Sequence, residues 1–223
     1  VVVTLSSLIF TWILAFPIGI YTALNQYTFG DYFFTFVGFI GLATPSFMLA
    51  LVLMYLSYKY LGINVGGLFS SAYADAPWSW AKFVDLLHHL WVPTIVVGTS
   101  GTAGLIRIMR SNLLDELGKP YVTTALAKGV PTHKAILKYP VRIALNPFIS
   151  TLGWTLPSLI SGATITSVVL NLPTTGPLLL TALTCQDMYL AGSFIMMLSV
   201  LTVIGTLISD ILLAVIDPRI RYT

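Results

Sequence analysis

The chain has 223 residues, 57% hydrophobic and only 9% charged, against roughly 25% charged in a soluble domain. With a mean hydropathy of +0.89, this composition excludes an ordinary soluble domain and describes a membrane protein. The net charge of +3 and the pI near 9.0 do not make a nucleic-acid reader, which needs a basic face with stacking aromatics; here the basic residues stand between apolar spans, where they set topology.

A spanning helix needs about 20 mostly apolar residues to cross roughly 30 Å of hydrocarbon. The first uncharged run predicts a span over 1–24, in which Pro17 and Gly19 are tolerable. Val1 opens directly into that run with no basic n-region and no cleavage site, so the expectation is a chain that begins inside a span, not a signal peptide. The second uncharged run, between Asp31 and Lys59, predicts a span over 33–58, with Pro45 near its middle and Tyr55, Tyr58 and Tyr60 at its far end, where an aromatic belt sits. Residues 61–90 turn polar and Gly-rich, an external loop. Its second half places Pro77 at a first helical turn and repeats Trp78, Trp80, Phe83, Leu87 and Trp91 at near-helical spacing, the pattern of a short interfacial helix. His88 and His89 are adjacent and so do not share a helix face; they read as polar interfacial residues and not as a metal pair.

The third predicted span is 92–108. Its Gly98, Gly101 and Gly104, with Ala103, form a small-residue surface for close helix packing. The basic stretch 107–142 follows and carries seven of the eleven Lys and Arg residues. The 44-residue uncharged run 143–186 is interrupted by Asn171-Leu-Pro-Thr-Thr-Gly-Pro177, a cluster of turn residues. That leaves one span over 143–170, an external loop over 171–187 and a last span over 188–215. The charge count supports one span there instead of two: the basic stretch and the tail then share a side with nine basic residues, against Lys59 and Lys82 on the other. By the positive-inside rule the nine face the cytoplasm. The expected fold is all-α, a polytopic membrane helical bundle of five spanning helices with a cytoplasmic loop over 109–142.

Cys185 is the only cysteine, which excludes an intrachain disulfide and any multi-cysteine metal site. Asp210 is the only acid inside a predicted span; an intramembrane acid is a functional candidate, but it falls near the basic end, where water reaches it. An aspartyl protease needs a second carboxylate beside it. The chain contains no G-x-x-x-x-G-K-[ST], no H-E-x-x-H and no G-x-S-x-G, so phosphate-cradling and hydrolytic signatures are missing and a membrane-embedded hydrolase is the weaker reading.

Inside the basic stretch, Gly118-Lys119-Pro120 and Gly129-Val130-Pro131 repeat one punctuation, a Gly closing a helix and a Pro preventing its continuation. Between them Tyr121–Lys128 has the length of about two helical turns, on the order of 12 Å. Thr132 is placed to cap a further short helix, His133–Tyr139, which Pro140 ends. A two-turn helix is marginal in water, so its own protein or a partner must hold it. The plainer reading of the stretch is a solvated loop whose charges only set topology.

At these residues a resemblance emerges. Tyr121-Val122-x-Thr124-Ala125-x-Ala127-Lys128-Gly129, followed by Arg142-x-Ala144-Leu145-x-Pro147, resembles the cytoplasmic EAA loop of ABC importer permeases of the oligopeptide and dipeptide branch. The segments GLIRIMRSNLLDEL, VLNLPTTGPLLL, QDMYLAGSF and DPRIRY are similar to the first permease of peptide importers, in the same order. Thr123 and Thr124 stand where the general motif has Glu and Ala, and Leu126 where the branch has Arg. The resemblance implies a coupling helix docking on an ATPase, with that role on Tyr121, Thr124, Ala125, Ala127, Lys128 and Gly129. It also implies a bacterial inner-membrane location, six helices with the first absent here, a second homologous permease, two cytoplasmic ATPase subunits that carry ATP and Mg, and an external solute-binding protein. No cofactor is expected in this chain. Peptides are the implied cargo; related permeases carry nickel, glutathione or sugars. A substrate path would be lined by small and hydroxylated residues, for which Trp154, Ser158, Ser161, Gly162, Thr164 and Ser167 are candidates, with Pro157 as a kink; helix packing is the alternative role for the same residues.

Overall fold

The structure, a computed structural model, describes residues 1–151 and 164–216. All regular structure among the described residues is helical. Helix α1 (Val2–Leu24) carries no charge and buries Val3, Ser7, Thr11, Ala15, Gly19 and Ala23. These recur every four residues, a ridge that fits the groove of a neighbouring helix. The neighbour is α4 (Trp80–Leu117), 38 residues long. Ser6 and Thr94 hydroxyls meet at 2.8 Å and Thr11 donates to the Gly98 carbonyl at 3.1 Å, while a Cβ on Gly19 would meet Met109. Contacts that advance together along both chains make α1 and α4 parallel.

The predicted interfacial helix and third span are thus a single helix. Ser79 caps it by accepting from the Lys82 amide at 3.2 Å, and Pro93 is carried inside. The helix instead bends by 45° between Trp80–Thr99 and Gly101–Leu117, in the glycine-rich part, where the absent side chains leave room for a kink.

The segment predicted as one span over 33–58 divides into α2 (Phe29–Ala43) and α3 (Ser46–Leu56), which meet at 100°. Pro45 lacks the N–H that would continue the ladder, and it pushes the preceding Thr44 to extended backbone, ψ 120°. α2 runs antiparallel to α4, with Gly41 against Thr99 and Gly38 against Ala103. α3 continues into one π turn, Ser57–Leu61, that stops at Gly62 with φ +66°. The small residues of α4 serve different neighbours: Gly98 and Gly101 face Phe10 and Thr11 of α1, Ala103 faces α2, and a Cβ on Gly104 meets nothing within 4 Å.

After α4 come three short helices, α5 (Pro120–Ala127), α6 (Thr132–Lys138) and α7 (Pro140–Ala144), and residues 146–151 are again helical. Beyond 163 lie α8 (Thr164–Val169), α9 (Thr175–Thr184) and α10 (Met188–Ile216). α1 and α10 are each long and apolar enough to cross a membrane, and the two bent pairs, α2 with α3 and the halves of α4, are apolar enough to do so jointly.

Two apolar cores sit at opposite ends of the α1–α4 pair. One joins Val3, Ala50, Val92, Val96 and Leu170. The other joins Ala15, Ala23, Met109, Leu113, Val141 and Phe148, with Ile136 packed against it. The second core is where the basic stretch is fastened.

Candidate functional site

The basic stretch is folded over most of its length. α5 begins with Pro120 at its first turn, where a missing N–H costs nothing. It ends in a Schellman closure: the Val130 amide donates to the Ala125 carbonyl at 3.2 Å and the Gly129 amide to Leu126 at 2.9 Å. Gly129 stands at φ +79°, a left-handed backbone that glycine adopts without a Cβ penalty. Gly118 ends α4 differently, at φ −78°, and needs no such freedom.

The sides of α5 differ. Val122 and Ala125 are buried at 3% and 8% exposure, three residues apart and so on one face. Thr124, Ala127, Lys128 and Gly129 are exposed and Tyr121 is half-buried. Tyr121 donates its hydroxyl to the Glu116 carboxylate, which Lys119 also approaches at 3.1 Å. The Thr123 and Thr124 hydroxyls turn back to the Pro120 carbonyl at 2.9 and 2.8 Å. Of the six residues assigned to coupling, then, Ala125 faces inward and four are free to meet a partner's surface.

α6 differs slightly from expectation. Pro131 is its N-cap residue and Thr132 its first helical residue, with no side-chain cap, because Pro131 already sets the extended backbone that a cap requires. α6 stops at Lys138, just before Pro140, which also opens α7, a first-turn position that suits it. Val141 and Ala144 of α7 and Ile136 of α6 then pack on Met109 and Leu113.

One ionic feature at this end has no counterpart in the sequence reading, where Asp31 marked only a boundary and Arg110 only positive charge. Arg110 grips Asp31 with two parallel bonds, Nε to Oδ1 at 3.0 Å and Nη2 to Oδ2 at 2.8 Å, the fork geometry that favours arginine. Asp31 is 3% exposed and also accepts from the Tyr27 amide at 3.0 Å and the Thr35 hydroxyl at 3.5 Å. The pair places the 25–32 connector at the same end of the bundle as the basic stretch. The usable signal was the position of Asp31 at the head of a span whose neighbours run the opposite way.

Lys82, a loop charge by its place in the sequence, is 6% exposed. Its ammonium donates to the Ala74 and Ala76 carbonyls at 3.2 and 2.6 Å and lies over the Phe69 ring at 4.8 Å. His89 is buried, its Nδ1 2.8 Å from the Asp85 carbonyl, while His88 is exposed. Asp85, His88 and His89 border an open cleft of about 720 Å³ with Asn64, Ser70 and Ser71. Of the candidate path residues, Trp154, Ser158 and Ser161, with Pro157 and Gly162, lie outside the described residues. Thr164 is half-buried at the start of α8 and Ser167 is buried, beside Thr166, which bonds Ser46 of α3 at 3.1 Å. Asp210 is exposed on α10.

Residues 15–222 match the family described as the binding-protein-dependent transport system inner membrane component. The oligopeptide transport system permease protein AppB of Bacillus subtilis is 35% identical over 98% of this chain and 67% of its own length. The oligopeptide permease OppB of Haemophilus influenzae is 32% identical over 96% of the chain and 65% of its own, and the dipeptide permease DppB of Escherichia coli 31% identical over 63% and 42%. The chain spans about two thirds of the length of the first two. An all-helical membrane protein with this match over nearly its whole length belongs to the family of binding-protein-dependent transport system inner membrane components.

Proposed function

We propose that the chain is a permease subunit of an ATP-driven importer and forms, with a second homologous permease, the path for peptides handed over by an external binding protein. The observation that carries this is α5. Its buried face is fastened to its own protein while Thr124, Ala127 and Lys128 are presented outward, which is what a short helix needs to transmit force from a partner. Two ATPase subunits in the cytoplasm would bind ATP and Mg, and their closure would drive alternating access by displacing rigid elements. On this reading the protein lies in the bacterial plasma membrane, the end bearing 107–142 and the C-terminus face the cytoplasm, and the chain itself performs no catalysis. Relatives named for oligopeptide and dipeptide transport support peptides as the cargo.

The test is co-purification with the ATPase subunits in mild detergent and ATP-dependent peptide uptake by reconstituted vesicles, with nickel, glutathione and sugars as competing cargoes. Ala127→Trp, on the exposed side of α5, is expected to abolish co-purification and uptake while leaving the subunit folded; Gly129→Trp is expected to do the same but also strains the loop. Uptake that persists with no ATPase present sinks the proposal. Uptake of another cargo in place of peptides sinks its substrate half.

A further inference from the structure

Beyond the Arg110–Asp31 pair, a groove of about 280 Å³ runs along the α2–α4 seam, walled by Phe34, Gly38, Phe39, Leu42, Ala103 and Ile106. A second cavity of about 210 Å³ on the α1 side shares the walls Phe34, Gly38, Ala103 and Ile106 and reaches Thr99. The polar mouth of the groove holds Tyr27, Tyr32, Arg107 and Arg110. Asp31 occupies the Arg110 fork, whereas Arg107 is exposed and, among the described residues, has no carboxylate within ion-pair distance. The mouth therefore carries one uncompensated positive charge above an apolar slot.

We propose that this groove binds an anionic phospholipid, one acyl chain lying along the seam of α2 and α4 and the phosphate on Arg107. The dimensions agree. From Asp31 to Leu42, both of which line the groove, α2 rises about 16 Å, and one leaflet's hydrocarbon is about 15 Å deep. Two tyrosines at the mouth mark the headgroup level, so the slot enters the hydrocarbon from the interface. Water gains nothing from an apolar slot, and leaving it empty forfeits dispersion contacts on every wall; a flexible chain fills it. An arginine fork suits phosphate, and basic pockets between membrane helices hold anionic headgroups. The occupant closes the seam between α2 and α4 beside the ion pair. This inference rests on residence in a bilayer and not on the proposed transport, so uptake is not its readout.

The assembled transporter, purified in detergent, is titrated with phosphatidylglycerol and with phosphatidylethanolamine of the same chains, and bound lipid is counted by native mass spectrometry. Phosphatidylglycerol is expected to be retained about fivefold more tightly, the effect of roughly 1 kcal/mol from one basic residue at the headgroup. Arg107→Gln should remove that preference. A Cβ on Gly38 meets just the Ala103 Cβ, at 3.9 Å, in ordinary contact; Gly38→Leu, which grows on into the slot, should displace both lipids at an unchanged melting temperature. Equal retention of the two headgroups, or a preference unchanged in Arg107→Gln, overturns the proposal. So does cross-linking of Gly38→Cys in native membranes to another protein segment, which would make protein, and not lipid, the occupant.

Discussion

Arg110 and Asp31 form an unequal pair, and the inequality predicts which substitution is worse. Asp31 has a side chain 4% exposed, while that of Arg110 keeps 30%. Arg110→Gln strands a carboxylate that water does not reach; removing one member of a buried ion pair costs about 3–5 kcal/mol, and the Tyr27 amide and Thr35 hydroxyl that remain bring this to the lower end, about 3 kcal/mol. Asp31→Asn leaves an arginine that solvent partly reclaims, and the amide oxygen still accepts from the Tyr27 N–H. Its cost is about 1.5–2 kcal/mol, the low end for a bond to a charged group because solvent reaches the arginine. The double variant strands nothing, so the two costs should fall short of additive by about 2 kcal/mol. Equilibrium unfolding of the purified permease in mixed micelles, followed by tryptophan fluorescence, measures all three. A larger cost for Asp31→Asn than for Arg110→Gln, or additivity within about 0.5 kcal/mol, refutes the reasoning.

Two further outcomes follow from packing and from a buried cation. A Cβ on Gly19 would sit 2.6 Å from the Met109 Cβ, so Gly19→Ala should lower thermal stability by about 1–3 kcal/mol through overpacking, whereas Gly104→Ala, with open space around it, should raise it by up to about 1 kcal/mol through helix propensity; differential scanning fluorimetry separates the two. Lys82→Met keeps the stem but leaves the Ala74 and Ala76 carbonyls without their donor, a loss of about 1–3 kcal/mol, and limited proteolysis should then cut the 62–79 segment faster.

Helicity and the positions of apolar runs were legible because both come from local composition. The α5 boundaries were legible because Pro120 and Gly129 impose local backbone states. What was not legible depended on geometry between segments. Nothing around Pro45 distinguishes a kink within one span from the 100° turn that separates α2 and α3, since Pro disrupts the ladder equally in both and packing decides the outcome. The join of the tryptophan-rich segment to the third predicted span was hidden by the polar residues Asp85, His88 and His89, which looked like a boundary; in the structure Asp85 receives the Ser70 amide at 2.8 Å and His89 turns back on its own helix, so their polarity is absorbed locally. Arg110 and Asp31 lie 79 positions apart, and only the antiparallel run of α2 against α4 brings them together.

The same contacts constrain how force entering at α5 could travel. Ile136, Val141 and Ala144 lock the short helices onto Met109 and Leu113, and through Ala15 and Ala23 onto α1. The α1–α4 seam is close-packed, with glycine on one side or the other at Gly19 and Gly98, and close-packed interiors move as bodies instead of deforming continuously. On the proposed function, a displacement of α5 passed on through α6 and α7 would reach α1 and α4 jointly. Compliance then lies at the 100° turn between α2 and α3, where Pro45 interrupts the ladder, and at the 45° bend within α4. The Arg110–Asp31 pair sits on the basic-stretch side of both and ties the start of α2 to α4, while α3 is held at the other end, by Ala50 in the core with Val3, Val92 and Val96 and by the Ser46 contact with Thr166 of α8. The turn at Thr44 and Pro45 thus joins a helix tied to the basic end to one held in the opposite core, and on the proposed function a disulfide engineered across it should arrest ATP-driven uptake without weakening attachment of the ATPase.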